Sequence, residues 1–277
     1  MTTPTPSRDD LISLHGFTPL PLDQDAIFQG KPFLHQPTPV PLSSIPYPSS
    51  TDPLVAKVQE YAKEKLPIQT YNHSMRVFYW CTPLHPFPPP PSPSPSLANP
   101  LPPFPPKPAT IIMQQQFPSL PPILPSTIAL TCLLHDIGTT PSNQSSTLLS
   151  FEFQGGVIAL DLLKELNGNK SQAEAVAEAI IRHQDLGTVG TITALGQILQ
   201  LATVYDNMSL RPYLIHPDTK AEVNKAYPRK GWSGCFSAAI ANEKKLKPWG
   251  HTSHLGWEVF ENGVRENEFM REVDSWE

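Results

Sequence analysis

The sequence predicts an all-α protein, a helical bundle interrupted by a proline-rich insertion. Three observations carry this. From residue 126 onward, apolar residues recur at helical spacing in successive segments bounded by caps and glycines. Alternating strand patterns are scarce, and no Asn-Gly turn joins two such runs. The 35 prolines are uneven: twelve fall in residues 1–81, eighteen in 82–125 and five in 126–277. The last 152 residues therefore read as an ordinary globular sequence.

In chain order, residues 1–50 are expected to be an extended, irregular segment whose short apolar "LISLHGF" docks on the core. The domain proper spans 51–277. Its first helix starts near Thr51 or Asp52, with Pro53 at the first position, where a missing N–H is harmless, and stops before Pro67. "IQTYNHSMRVFYW" (68–80) is the second helix. Residues 82–108 then hold fourteen prolines in 27 positions, which no helix or strand interior survives. An insertion at 82–112, disordered or polyproline II in character, is expected, with a ligand for a proline-binding module as the functional alternative. "STIALTCLLHDIG" runs from a Ser126 or Thr127 cap to a stop at Gly138. "SSTLLSFEFQGGVIALDLLKELNG" ends at Gly168. Ser171 and Glu174 suggest a capping box for "SQAEAVAEAIIRHQ", and "TITALGQILQLATVYDN" follows.

Composition excludes several function classes. Net charge is −5, and no basic patch invites nucleic acid. Three widely spaced cysteines, Cys81, Cys132 and Cys235, do not make a disulfide scaffold or a CxxC zinc site. No signal-peptide pattern opens the chain, and no apolar run reaches the roughly 18 residues of a membrane span. A cytoplasmic protein without a membrane partner is expected.

The polar residues sit in a pattern. In "LTCLLHDIGTT" (130–140) an apolar run ends in His135 and Asp136, which extend the faces of Cys132, Thr131 and Ile128, and of Leu133, Cys132 and Ala129. The stripe Val176, Ala179, Ile180 ends in His183, and the stripe Leu195, Leu199, Ala202 ends in Asp206. His73 lies in a fourth such segment. A single histidine at the end of an apolar stripe is usually a hydrogen-bonded core residue. Several converging ones, with buried aspartates, suit a borderline divalent ion such as zinc, iron or manganese, which acidifies water at neutral pH.

These residues resemble a known family. The order His73, His135-Asp136, Asp206 is that of the HD-domain metal-dependent hydrolases. The surrounding words "YNHSMRVFYW", "LTCLLHDIGTT", "SFEFQGG", "AEAIIRHQDLG", "LATVYDN" and "YPRKGW" resemble the fungal cyanamide hydratases within that superfamily, over residues 50–81 and 112–270. The resemblance implies a hydro-lyase that adds water across the nitrile of cyanamide to give urea. It implies one divalent metal ion, zinc before iron or manganese, held by His73, His135, Asp136 and Asp206. His183 and Asp185 would face the substrate or stand behind the ligands, and Thr139 and Glu152 lie in matching words without an assigned role. An unperturbed imidazole near pH 6.5 makes His183 the general acid–base candidate, while Asp185 is expected to orient a neighbour or cap a turn. The partner would be a small neutral nitrile; a homo-oligomer is left open.

Other words read plainly. Arg229 and Lys230 are expected to be solvated, Cys132 to be core, and His251 and His254 to be loop histidines without an acidic partner. The proline-rich run, foreign to both flanks, reads as an unspliced intron, which sequencing the transcript decides. Two alternatives accompany the hydratase: an HD-type phosphohydrolase of a small nucleotide, disfavoured by the few cations near the motifs (Arg76 and Arg182), and an inactive HD protein recruiting a partner through its proline-rich run.

Overall fold

A computed structural model describes residues 6–81 and 115–277; the expected insertion at 82–112 lies outside the described residues. The molecule is helical, as its periodicity requires. Helix α3 (Pro53–Lys65) has Pro53 in its first turn, and the Asp52 carboxylate accepts N–H groups of Leu54 and Val55. Val55, Val58 and Ala62 form its inward stripe. Helix α4 (Ile68–Cys81) is buried from Thr70 onward and forms the centre of the bundle. Helix α5 (Pro125–Leu134) is buried from Thr127 to its end, which explains why its sequence is apolar on all sides.

Several boundaries differ from expectation. Helix α5 starts at Pro125, not at a Ser126 or Thr127 cap, and ends at Leu134, before His135 and a 3-10 turn, Ile137–Thr139. Gly138 is thus no helix stop. A Cβ there would lie 2.0 Å from the Phe151 carbonyl oxygen, so glycine permits the following helix to touch this turn. That helix, α7 (Phe151–Glu165), follows the short α6 (Pro141–Ser145). Its left-handed terminal residue is Asn167 (φ 58), not Gly168. Asn167 donates to the Lys164 carbonyl and Gly168 to that of Leu163, a Schellman end that asparagine tolerates. Helix α8 (Lys170–Arg182) begins one residue before Ser171, so Asn169 caps it through the N–H groups of Ser171 and Gln172, and the Ser171/Glu174 box does not form.

The N-terminal segment is more regular than an extended chain. It carries α1 (Arg8–Leu14), with a Ser7/Asp10 capping box, and α2 (Gln24–Phe28). Between them Pro19–Pro21 (β1) pairs antiparallel with Thr191–Thr193 (β2), Leu20 opposite Ile192. Strands of three residues are too short to show alternation in sequence. The docking expected of "LISLHGF" is seen: His15 Nδ1 lies 3.1 Å from Thr127 Oγ1, and Phe17 packs on the core.

Helix α9 (Ala194–Met208), capped by Thr193, is buried along nearly its whole length. Helices α10 (Pro217–Ala226), α11 (Trp232–Leu246), α12 (Trp257–Arg265) and α13 (Arg271–Asp274) complete the chain. The large apolar core gathers residues of α3, α4, α5, α7, α8 and α9. A second cluster, with Phe151, Trp232, Phe236, Ile240, Phe260 and Val264, lies under α11 and α12. The candidate site sits at the seam between them. No helix among the described residues is long and apolar enough to cross a membrane.

Candidate metal centre

Three ligand-type side chains converge at the seam: His73 from α4, and His135 and Asp136 from the end of α5. Their ligand atoms lie within 4.8 Å of one another, all in the interior. His73 Nε2 and His135 Nε2 are 3.1 Å apart, and Asp136 Oδ2 lies 3.5 and 3.3 Å from them.

The hydrogen bonds around this trio define its chemistry. His135 Nδ1 is 2.8 Å from the Cys132 carbonyl oxygen, to which only an N–H can donate. His73 Nδ1 is 2.7 Å from the Asp206 carboxylate, which again calls for an N–H. In both neutral rings Nε2 therefore carries the lone pair. Neither Asp136 carboxylate oxygen has a hydrogen-bond donor. Two lone pairs and an unpartnered buried carboxylate face one another with no donor between them, an arrangement that a cation resolves. Two nitrogens and an oxygen suit zinc, iron or manganese. The residues therefore fit a divalent metal ion.

The electrostatics agree. Burial pushes His73 down to about 4 despite Asp206. Burial opposes charge on His135 as well, but the Asp136 carboxylate outweighs it and raises that ring. Burial would raise Asp136, yet His135 and His73 bring it down to about 2. The negative potential at this point attracts a proton or a metal ion alike.

Asp206 stands one imidazole behind the trio. Its carboxylate receives His73 Nδ1, Arg76 Nη2 at 2.8 Å, Trp80 Nε1 at 3.2 Å and Arg229 Nη1 at 3.1 Å. Burial opposes its charge, but Arg76 and Arg229 hold it well below the usual carboxylate range. It thus fixes the tautomer and plane of His73, as carboxylates behind metal-binding histidines do. Arg229, expected to be solvated, is fully buried on Asp206 and Asp274 because the turn before α11 folds it inward; Lys230 pairs with Glu277. The Trp232 indole stacks on the His73 ring at 4.2 Å and 13°, and Phe236 stacks on Trp232.

His183, at the end of α8, lies edge-on to His135, ring centres 5.5 Å apart. Its Nδ1 donates to the Ile180 carbonyl, leaving Nε2 as the acceptor nitrogen. Burial and the neighbouring His135 lower it to about 4, so at neutral pH it is unprotonated, with a lone pair to accept a proton but without the ready exchange expected of an imidazole near 6.5. Asp185 is not gathered with the trio: its carboxylate is taken by Arg182 Nε and His251 Nε2, both at 2.7 Å. His251 therefore has the acidic partner that its sequence neighbourhood did not reveal. Thr139 donates to the Asp136 carbonyl and so pins the turn that carries this ligand. Glu152 is fully buried with its carboxylate at Thr252, which also touches Gln184. Cys132 is core, as expected.

Trp232, Arg76 and Arg229 are contributors that spacing alone did not identify. "YPRKGW" was visible as a word, but its fold back onto α4 is a long-range contact without periodicity. A cavity of about 330 Å³ adjoins this side of the site, lined by residues that include Thr70, Thr139, Gln144, Trp232, Cys235 and Phe236.

Known proteins match this chain in two ways. Residues 107–208 match the family described as HD domain. The cyanamide hydratases DDI2 and DDI3 of Saccharomyces cerevisiae are each 36% identical to it over 246 residues, which cover 88% of this chain and 93% of each relative.

Proposed function

The chain belongs to the cyanamide hydratase family of HD-domain enzymes, and on that footing we propose that it hydrates cyanamide, adding water across the nitrile to give urea. The observation that carries the reading is the acceptor-only trio of His73, His135 and Asp136, beside a cavity whose lining holds no Asp, Glu, Lys or Arg. His73, His135 and Asp136 would hold one divalent ion, zinc by preference. Asp206, the remaining member of the motif, orients His73 from behind, and entering the ion's own shell would require it to release that ring. When bound, such an ion supplies Lewis acidity that brings the ionisation of water toward about pH 7.

The chain's own residues do the rest. His183 Nε2 accepts a proton as water adds to the nitrile carbon and returns it to the nitrile nitrogen, which gains charge in the same step. Trp232 and Phe236 exclude bulk water from one side of the centre. Asp185 acts as a positioning residue through Arg182 and His251. An uncharged lining suits a neutral nitrile and lacks the cations that a phosphoester would need, which weighs against the nucleotide reading. The three free cysteines support a cytoplasmic setting.

The test is direct. The purified chain is assayed for bound metal and for urea formed from cyanamide, beside His135→Ala. About one equivalent of metal and urea formation lost in the variant are expected. Metal without urea would replace the hydratase reading, and a chain that binds no metal would remove the basis of the site.

A further inference from the structure

Helix α9 reaches the centre at two points. At the first, Asp206 orients His73. Six residues earlier, about 9 Å along the helix axis, the fully buried Gln200 reaches the segment that carries His183. His183 and Gln184 are the two central residues of a turn at the end of α8, closed by the Asp185 N–H on the Arg182 carbonyl at 2.9 Å. Gln200 Nε2 donates to both end carbonyls of that turn, Arg182 O at 3.0 Å and Asp185 O at 3.1 Å. Both N–H groups of one amide are thus committed, each to its own carbonyl.

The last carbonyls of a helix have no partner within it, and in the interior they need a donor from elsewhere. Gln200 supplies one from a different helix. The turn cannot shift against α9 without stranding buried N–H and C=O groups, which is costly. The His183 ring is in turn tied to its own backbone, with Nδ1 on the Ile180 carbonyl at 2.6 Å. Thr203 and Asn207, three and seven residues after Gln200, share its helix face and line a small cavity with His183. On the outer side the Asp185 carboxylate clasps the same turn to Arg182 and His251. His183 is therefore held between an inner amide and an outer carboxylate.

We propose that Gln200 is a positioning residue for the hydration step, whose amide fixes where His183 Nε2 stands relative to the trio. The proposal rests on the hydratase reading and deepens it. One rigid helix then sets the separation of His73 from His183, the first through Asp206 and the second through Gln200. The effect is geometric, since the amide carries no charge. A misplacement of about 1 Å at a reacting group costs on the order of 100-fold in rate.

The experiment compares the zinc-loaded full chain with Gln200→Met, which keeps the side-chain length and removes both donors. With rates expressed per bound zinc, kcat for cyanamide should fall at least about tenfold while KM changes less than about threefold. Proton NMR of the imidazole N–H groups gives a readout independent of turnover. His183 and His135 each hold Nδ1–H on a carbonyl three residues earlier, at 2.6 and 2.8 Å, so His135 is the internal control. In the variant the His183 Nδ1 proton should exchange with water at least about tenfold faster, and that of His135 within about twofold of the wild type. Gln200→Asn, too short to reach both carbonyls, carries the same two expectations should the methionine variant fail to fold. A kcat within about twofold of the wild type overturns the proposal and leaves the hydratase reading standing. Equal acceleration of both imidazole protons also overturns it, because that marks a general loosening. A wild-type chain that forms no urea overturns the hydratase reading, and the exchange rates still decide whether Gln200 holds the turn.

Discussion

His73 and His135 face each other Nε2 to Nε2 across 3.1 Å, and each has its Nδ1 committed to an acceptor on the other side of the ring. Lone pairs so placed repel, and a shared cation converts the repulsion into attraction. A metal ion at about 100 times its Kd should therefore stabilise the fold by roughly 2.7 kcal/mol, raising Tm by about 5–10 °C in a domain of this size. Thermal unfolding with zinc, iron(II) and manganese(II), and again after chelation, measures the shift. His135→Ala should abolish it. An apoprotein whose Tm is indifferent to all three ions would mean that the trio is a packed polar cluster.

Asp206→Asn tests the support behind His73. Asparagine keeps the shape but removes the charge that Arg76 and Arg229 share in the interior. Removing one partner of a buried ion pair costs about 3–5 kcal/mol. Losing the carboxylate behind a metal-binding histidine weakens metal affinity about 10–100-fold. Urea denaturation and a metal titration read the two effects separately. Adding Arg76→Met should restore part of the stability, because one stranded charge is gone, without restoring metal affinity. An unchanged denaturation midpoint in the single variant would contradict the network.

How far the site was legible in sequence follows from which of its contacts are local. His135, Asp136, His183 and Asp206 each end an apolar helical stripe, so spacing alone nominated them, and all are buried. Arg229 read as solvated because its burial depends on Asp206 and Asp274, 23 and 45 residues distant. His251 read as partnerless because Asp185 is 66 residues away. Helix interiors were legible where an inward stripe repeats, as Val55, Val58 and Ala62 do in α3. Their ends were less so: Pro125 and Asn169 displaced the expected starts of α5 and α8, and Asn167 took the place of Gly168 at the end of α7. The β1–β2 pair, three residues a side, carries no pattern to read.

Gly138 and Gly156 both mark close approaches, but of different kinds. A Cβ at 138 would meet the Phe151 carbonyl at 2.0 Å, and one at 156 would meet the Ile181 side chain at 2.5 Å. Backbone cannot rotate away, whereas an isoleucine can change rotamer. Gly138→Ala should therefore cost more than the about 1–3 kcal/mol typical of overpacking, and Gly156→Ala should fall within that range. Gly138→Ala should also weaken metal binding, since it displaces the turn between Asp136 and Thr139. Denaturant midpoints and metal stoichiometry for the two variants provide the comparison; equal costs would refute the distinction.

Glu152 gives a pH dependence with a definite sign. Glu152 Oε1 accepts from Thr252 Oγ1 at 2.7 Å, while Oε2 is buried without a hydrogen-bond partner. Burial raises this carboxyl to about 7 from an ordinary 4.5, although Thr252 and His251 oppose the shift and Glu243 adds to it. Between those values the folded state keeps a proton that the unfolded state has lost. The stability contributed by this group is therefore complete below about pH 4.5 and is lost as pH rises through about 7. At about 1.4 kcal/mol per pH unit the loss reaches up to roughly 3 kcal/mol. Glu152→Gln keeps an acceptor for Thr252 and has nothing to ionise. Its stability relative to the wild type should rise across this window and level off above it. His251, raised first by its bond to Asp185 and also by the Glu152 charge, titrates nearby, so the difference between the two proteins includes the loss of that attraction as well as of the Glu152 ionisation. Chemical denaturation of the pair from about pH 5 to 8 measures that difference, and a value independent of pH would mean that Glu152 is ionised in the fold throughout.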